Sequence, residues 1–568
     1  MTINPIPAHR RRSNAKSLRI TITQAFAWVI GFLLVSALSL NEWSGNNASA
    51  RTRRPSDGRV HLVHADKLHT DQYSQPDVQI LNGNVHFTHG GTRLYCDSAY
   101  FYESTNSFRA FGHVKMYQGD TLSLFSDYAY YDGNDELAIA RHNVVLKHRK
   151  TTLYTDSLNY DKAYGIGYFF DGGRLVDKQN TLVADWGQYD TETKQSVFKY
   201  DVHLKNKTTD VVTDTLYYNT SNSMAEMCGP TDITQKDSHI YTEHGFYNTQ
   251  TDQSELYDRT VITNKDGKKL MGDSVYHDSE TGISRAYHNV VYSDSKNKNQ
   301  LTGNVCYYDD KQGYAYATDN AVAIDYSQAD TLYVHADTFK LYTFNINTDS
   351  MYRRIHAYNH VRAYRRDVQA VCDSMVYISC DSCATMYHDP IIWHDGQQLL
   401  GEEIKIYNND STVEWAHVIN QALSVEQLQQ DTAKFNQIAS KEMKAFFRGG
   451  EIYESQAIDN VLTCYYVIDD KDSSIISFNY LETSLMKMFL ENRKLQKIWT
   501  PEFEGVMYPL TQIPTGKDRL PSFAWFDYIR PIDKNDIFEW RSKGEGQKLK
   551  TLVRHAAPKN NLTGLKHQ

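Results

Sequence analysis

Proline is scarce in this chain, 12 of 568 residues, and cysteine is both scarce and odd in number at seven. Few prolines leave backbone N–H groups free for sheet ladders, where proline removes a donor. Cys96, Cys228, Cys306, Cys372, Cys380, Cys383 and Cys464 stand at irregular spacings, which excludes a disulfide framework as the basis of the fold. Cys380-Asp-Ser-Cys383 is a C-x-x-C, but it lies between strand-like runs instead of opening a helix. A local turn disulfide or free thiols is therefore expected there, not a redox centre. No second ligand pair accompanies it at zinc spacing, and the 22 histidines contain no H-E-x-x-H. Neither metal nor cofactor is expected. Excess positive charge is missing too: the net charge is −9, and residues 1–50, with Arg10, Arg11, Arg12, Lys16 and Arg19 against Glu42, contribute +4, leaving −13 for the remainder. That sign argues against nucleic acid as a partner.

Long apolar runs are absent with one exception. Ala25–Leu40 is apolar over 16 residues, follows the basic stretch and precedes Ala48-Ser49-Ala50, which has the A-x-A form of a signal-peptidase site. Residues 1–50 are thus expected to be a signal peptide, with Ala48 and Ala50 marking cleavage. An uncleaved anchor is the alternative, because Trp28 and Trp43 would suit the two membrane interfaces. Both readings export residues 51–568, to the periplasm, with inner-membrane anchoring or outer-membrane association left open.

What is abundant is tyrosine, at 41 residues, and aromatic side chains fit a pleated sheet surface. They recur in register. The segments LYCDSAYFY (94–102), LFSDYAYYD (124–132), LYTDSLNYD (153–161), LVADWGQYD (182–190), VVTDTLYYN (211–219), IYTEHGFYN (240–248) and LMGDSVYHD (270–278) carry Asp97, Asp127, Asp156, Asp185, Asp214, Glu243 and Asp273 at spacings of 30, 29, 29, 29, 29 and 30. Looser copies follow at 333–341, 370–378 and 399–407. Between copies lies a turn followed by a β-branched run, such as LNGNVHF (81–87), ARHNVVLKH (140–148) and AYHNVVY (286–292). A fixed period of this length is the mark of a repeat array. The unit is a β-hairpin, and the chain is expected to be all-β, an elongated antiparallel array of about eleven tandem hairpins.

Counted from the acid, position −3 is aliphatic and position −1 small, while +2 and +4 are apolar or aromatic. Side chains alternate faces along a strand, so −3 and +2 have opposite parity. A bend or bulge at the Asp-Ser step would bring both sets to one interior. The acids are then structural, and Phe101, Tyr131, Leu158, Tyr160, Tyr189, Leu216, Tyr218 and Val275 become candidates for lining an apolar groove. Such a groove would shelter acyl chains at about 0.8 kcal/mol per buried methylene.

Gly83-Asn84-Val85 and Gly303-Asn304-Val305, together with L-x-x-D-S-x-x-Y at a period near 29 behind a signal segment, make residues 60–425 resemble the OstA/LptA family, in particular its larger OstA-like members of Bacteroidetes type. The resemblance implies a β-jellyroll or "β-taco" scaffold that carries lipopolysaccharide by its lipid A part. It implies as partners an inner-membrane ABC transporter complex and an outer-membrane translocon, and end-to-end strand association between chains stays open. The large barrel of the family's outer-membrane member is not expected here. The domains expected are an OstA-like repeat region over 51–430, divergent repeats over 431–500, a Pro- and aromatic-rich cap or docking segment over 501–540, and a disordered tail over 541–568.

Enzyme readings are weaker. Gly272-Asp273-Ser274 could suggest a hydrolase nucleophile, but the same slot holds Cys-Asp-Ser and Thr-Asp-Ser in other copies, and no partner base is identified. No catalytic residue is expected. The rivals to a lipid carrier are a structural or adhesin-like β-repeat protein with a filled interior and, further off, a polysaccharide-acting β-helix enzyme.

Overall fold

A computed structural model describes residues 58–544, apart from short interruptions at 72–74, 310, 347, 395, 410–411, 470–471 and 492–493. The expected signal segment with Ala48 and Ala50, and residues 545–568 of the expected tail, lie outside the described residues. The described chain is one antiparallel ribbon of 36 strands, with three short 3-10 turns near its C-terminal end. Each strand pairs with its neighbours along the sequence, so hairpin follows hairpin in one direction. Eight rungs are split into two short strands at a corner, as Asn180–Ala184 and Trp186–Asp190 are around Asp185, and the 36 strands therefore make 28 rungs. That is fourteen hairpins, more than the eleven read from the repeat, because the divergent stretches from Val413 to Pro509 continue the same ladder. At about 4.8 Å per rung the array runs roughly 130 Å.

Through the regular repeats, every second rung bends at its signature acid. In Thr92–Tyr102 the buried positions are Thr92, Leu94 and Cys96 before Asp97, then Ala99 and Phe101 after it, so the parity changes at the Asp97-Ser98 step. The register with the next strand slips at the same point, between Tyr95 and Ser98. Facing each acid, the adjacent strand turns its corner through two successive residues of positive φ: Gly83 and Asn84, Gly112 and His113, His142 and Asn143, His288 and Asn289, Asn359 and His360. Glycine and asparagine tolerate that conformation best, which is why the turn motif reads G-N or H-N. The acid then fixes the corner. His113 Nδ1 lies 2.7 Å from Asp97 Oδ2, Asn143 donates to Asp127 at 2.6 Å, Asn289 to Asp273 at 2.7 Å, and His360 Nδ1 lies 2.8 Å from Asp337. The Asn289 bond and the Arg259 guanidinium hold the Asp273 carboxyl below the usual range.

The bends divide the ribbon into two facing walls joined along the line of corners. The hairpin turns of both walls lie along the opposite side, the mouth. A side chain at Gly112, at φ +73, would run into the Asp97 carboxylate. Gly112→Ala is expected to destabilise the first rungs by about 1–3 kcal/mol through αL strain alone, read as a shifted urea midpoint with unchanged slope.

Candidate functional site

The space between the walls has two sections of different character. From Val60 to Leu256 it is sealed. One continuous cluster of buried apolar side chains fills it, with Phe87 and Phe108 stacked at 4.3 Å and 5° and Phe101 and Tyr131 leaning on them at 5.4 Å. The cavity beside them, lined by Val60, Phe87, His89, Leu94 and Met116 among others, holds about 10 Å3, roughly the space of one water.

A lace of tyrosines closes the mouth of this section. Tyr131, Tyr160, Tyr189, Tyr218 and Tyr247 stand 29 residues apart on the second wall. Each reaches the turns of the first wall. Tyr131 meets His89 Nδ1 at 2.8 Å, Tyr160 donates to Gln118 at 3.0 Å, and Tyr189 meets His148 Nδ1 at 3.0 Å. Tyr218 donates to Asp177 at 3.0 Å and accepts from Asn180 at 2.8 Å, and Tyr247 meets Thr209 at 3.1 Å. Lys178 adds a bond to Ser223 at 2.8 Å across the same gap. Each such bond contributes about 1 kcal/mol net. Burial pushes the Tyr218 and Tyr247 phenols up to about 12, so both remain donors at neutral pH.

The lace carries one titratable weakness. Burial, and then Arg149 and Lys194, hold His148 below its ordinary 6.5. The unfolded chain therefore takes up this proton before the folded one does, and stability falls as pH drops from about 6.5 toward the folded value. Acidification from pH 7.5 to 5.5 should lower the melting temperature, and His148→Gln should remove part of that slope. Parallel slopes in the two proteins would contradict this reading.

Beyond Leu256 the lace slot is filled by His277, which bonds Ser284 and Ser279 at 2.9 and 3.2 Å on its own wall. The side chains buried between the walls here lie along the corners, among them Ala317, Ala321, Ala357, Ile404, Ala422 and Ala457. Toward the mouth, Leu301, Met375, Ile406, Ile438, Leu481 and Met488 are only partly covered. Tyr308, Ile355 and Tyr465, also inward by register, expose 46%, 36% and 40% of their surface. This section is an apolar hollow open to solvent.

From His335 onward its first wall is also covered from outside. Residues 513–541 run as a strap along the outer face of that wall and bury Leu520, Phe526 and Ile529 against Trp393, Leu400, Val425 and Phe478. Buried glutamines read the strap's backbone. Gln437 donates to Asp518 O and accepts from Leu520 N, Gln398 does the same with Ala524 and Phe526, and Gln369 accepts from Arg530. Arg362, fully buried, donates to Ile529 O at 3.0 Å and to Asp536 at 3.3 Å. A sheet needs one face covered to be stable; here the strap supplies the cover and leaves the inner face free. The second wall is braced outside by cross-strand aromatic stacks, Tyr307 on Tyr316 at 5.3 Å and Tyr407 on Trp415 at 4.1 Å.

The eight groove candidates all point inward, with relative exposures of 6% or less. In this structure they face packed side chains. Phe101, Tyr131, Leu158, Tyr160, Tyr189, Leu216 and Tyr218 are packed against the opposite wall of the sealed section, where aromatic volume fills the space. Val275 sits at its far end, in a small cluster with Ala286 and Val290. The open lining lies further along the chain and was not singled out by sequence; its signal is that His277, Leu341 and Ile406 stand where the sealed section places its tyrosines. The seven signature acids sit on the corners, outside the hollow. The segment expected as a cap lies along the array's flank, not across its end, and Phe503 and Met507 of the last rung stay 63% and 62% exposed. All seven cysteines are free thiols, with Cys380 exposed in a hairpin turn and Cys383 buried.

The family model of OstA-like proteins matches residues 57–214, of which 60–214 lie in the sealed section. No curated protein matches the chain. Among solved structures it is similar to LptH from Pseudomonas aeruginosa, the LptA-homologous periplasmic component of the conserved lipopolysaccharide transport device, at 15% identity over 24% of this chain and 81% of that one, with a TM-score of 0.13.

Proposed function

We propose, starting from the OstA-like character of residues 57–214, that this chain is a periplasmic carrier that binds lipopolysaccharide by its acyl chains and passes it toward the outer membrane. An inner-membrane ABC transporter complex and an outer-membrane translocon are the partners this role calls for. The observation that carries the reading is the second section, whose inward apolar side chains toward the mouth stay partly exposed to solvent. Solvent-exposed apolar surface of this kind marks a binding site. Acyl chains would bury there at about 0.8 kcal/mol per methylene, spread over many equivalent contacts, so that the lipid is held and can still slide.

The test fills the hollow. Ala416 and Ala445 are cross-strand partners, both inward and partly exposed. Ala416→Trp with Ala445→Trp should cut co-elution of purified protein with lipopolysaccharide at least tenfold while circular dichroism stays unchanged. Undiminished co-elution from a folded double variant would sink the proposal. A structural or adhesin-like role would leave the wild type itself without lipid.

A further inference from the structure

The carrier reading and the geometry of the sealed section pull against each other, because the OstA-like segment is the part of the chain whose interior is closed. We infer that the sealed section is a second, conditional acyl-chain compartment, and that the tyrosine lace is the gate that admits lipid to it. The inference rests on the proposed function and adds a site and its control to it.

Three observations carry it. Within each rung of the sealed section the two walls are joined by chain only at the corners. At the mouth they meet through side chains, among them the five tyrosines with their partners, the Lys178–Ser223 and Asn180–Thr249 bonds and the Lys162 ammonium on the His89 carbonyl. Opening there breaks no ladder hydrogen bond and needs rotation only about the corners, where both strands already leave regular geometry. Second, the lace partners are groups with alternative uses. His89, Gln118, His148, Asn180 and Thr209 and the tyrosine hydroxyls can bond the phosphates and sugar hydroxyls of a glycolipid headgroup as well as they bond each other, and the Asp177 carboxylate can accept from sugar hydroxyls. The headgroup would then replace the lace while its acyl chains enter the gap. Third, the closed state leaves polar atoms stranded near the mouth: Thr92 Oγ1, Ser196 Oγ and Asn180 Oδ1 are buried without a protein partner. Unpaired buried groups disfavour the state that holds them, and parting the walls relieves all three.

The open hollow joins the sealed section at the place where the lace ends, between Tyr247 and His277. Lipid held in the open section therefore meets the gate end-on, and the lace can yield one tyrosine at a time, each step moving the boundary by one hairpin. The side chains that fill the sealed section would swing aside as acyl chains take their place, exchanging one apolar contact for another.

The experiment staples the gate. In a Cys228→Ser, Cys306→Ser, Cys380→Ser background, His148→Cys with Tyr189→Cys are joined by a short bismaleimide, and the product is confirmed by mass. A photoreactive phenylalanine replaces Phe198, sealed, or Tyr465, open. With lipopolysaccharide present, both positions should give lipid adducts in the unstapled protein. Stapling should reduce adducts at Phe198 at least tenfold and leave those at Tyr465 unchanged. Tyr189→Phe with Tyr218→Phe, which keeps the ring volume and removes the hydroxyls, should raise the Phe198 yield and speed amide exchange over residues 137–161. Adducts at Tyr465 but none at Phe198, or a Phe198 yield indifferent to the staple, would overturn the gate and leave the carrier standing. Adducts at neither position would overturn both.

Discussion

Arg362→Ala should cost about 2–3 kcal/mol and free the strap from the flank of the array. The guanidinium is wholly buried, and its partners are both on the strap: the Ile529 carbonyl and the Asp536 carboxylate. Removing it leaves Asp536, itself 9% exposed, with Arg541 and the Ile532 N–H as its remaining partners and a void beneath Ile529. Asp536 keeps Arg541 as its nearer cation, so the loss comes from the emptied buried space and from the Ile529 carbonyl left without its donor. The consequence reaches beyond the strap. Once Leu520, Phe526 and Ile529 lift away, the first wall of the open section has neither face covered, and it should either close onto the second wall or lose its ladder. Limited proteolysis should cut between residues 513 and 541, and denaturant unfolding should shift to lower concentration. Arg541→Ala, at a partly exposed end of the same network, should do much less. Wild-type resistance and midpoint in the Arg362 variant would mean that the strap is incidental to the wall.

A second large effect separates the two sections. Leu216 is fully buried between Phe198 and Met227, its partners on adjacent strands. Leu216→Asp should destabilise the sealed section by more than about 4 kcal/mol, since an unpaired carboxylate there has neither water nor a cation to meet. The same change at Ile355, also inward, should cost about 1 kcal/mol or less, because solvent reaches that position already. Urea titrations of the two variants decide the matter. Equal and severe losses would mean that the second section is as tightly packed as the first, and the distinction on which the carrier reading stands would fall.

Much of this architecture is legible in the sequence, for reasons that can be stated. The period comes through because each hairpin repeats one set of contacts with its neighbours, so the same residue types recur at the corner and along the inner face. The bend can be deduced because Leu94 and Ala99 cannot share a face of a straight strand. The lace is another matter. Tyr160 and Gln118 are 42 residues apart, and nothing local marks a glutamine at a strand end as the partner of a tyrosine more than one period away. Volume is equally hidden: Phe101, Tyr131 and Tyr160 read as groove lining or as filling with equal ease, and only their packing against Phe87, Phe108 and Leu146 decides. The strap escaped because its receptors, Gln369, Gln398 and Gln437, occupy outward positions where a polar residue is expected to meet water. Glutamine recurring on one outward face of a strand array, upstream of a Pro- and aromatic-rich segment, is the pattern that would have disclosed it.

The claim on which the rest depends is that apolar ligand occupies the hollow between the walls beyond residue 260. The most direct measurement is a photocrosslinking map with lipopolysaccharide, one photoreactive residue at a time, at Tyr308, Ile355 and Tyr465 inside the hollow and at Tyr407 and Tyr316 on the outer face. The account predicts adducts through the acyl part at all three inward positions and background yield at both outward ones. Equal yields inside and outside, or labelling confined to the outer face, would contradict it.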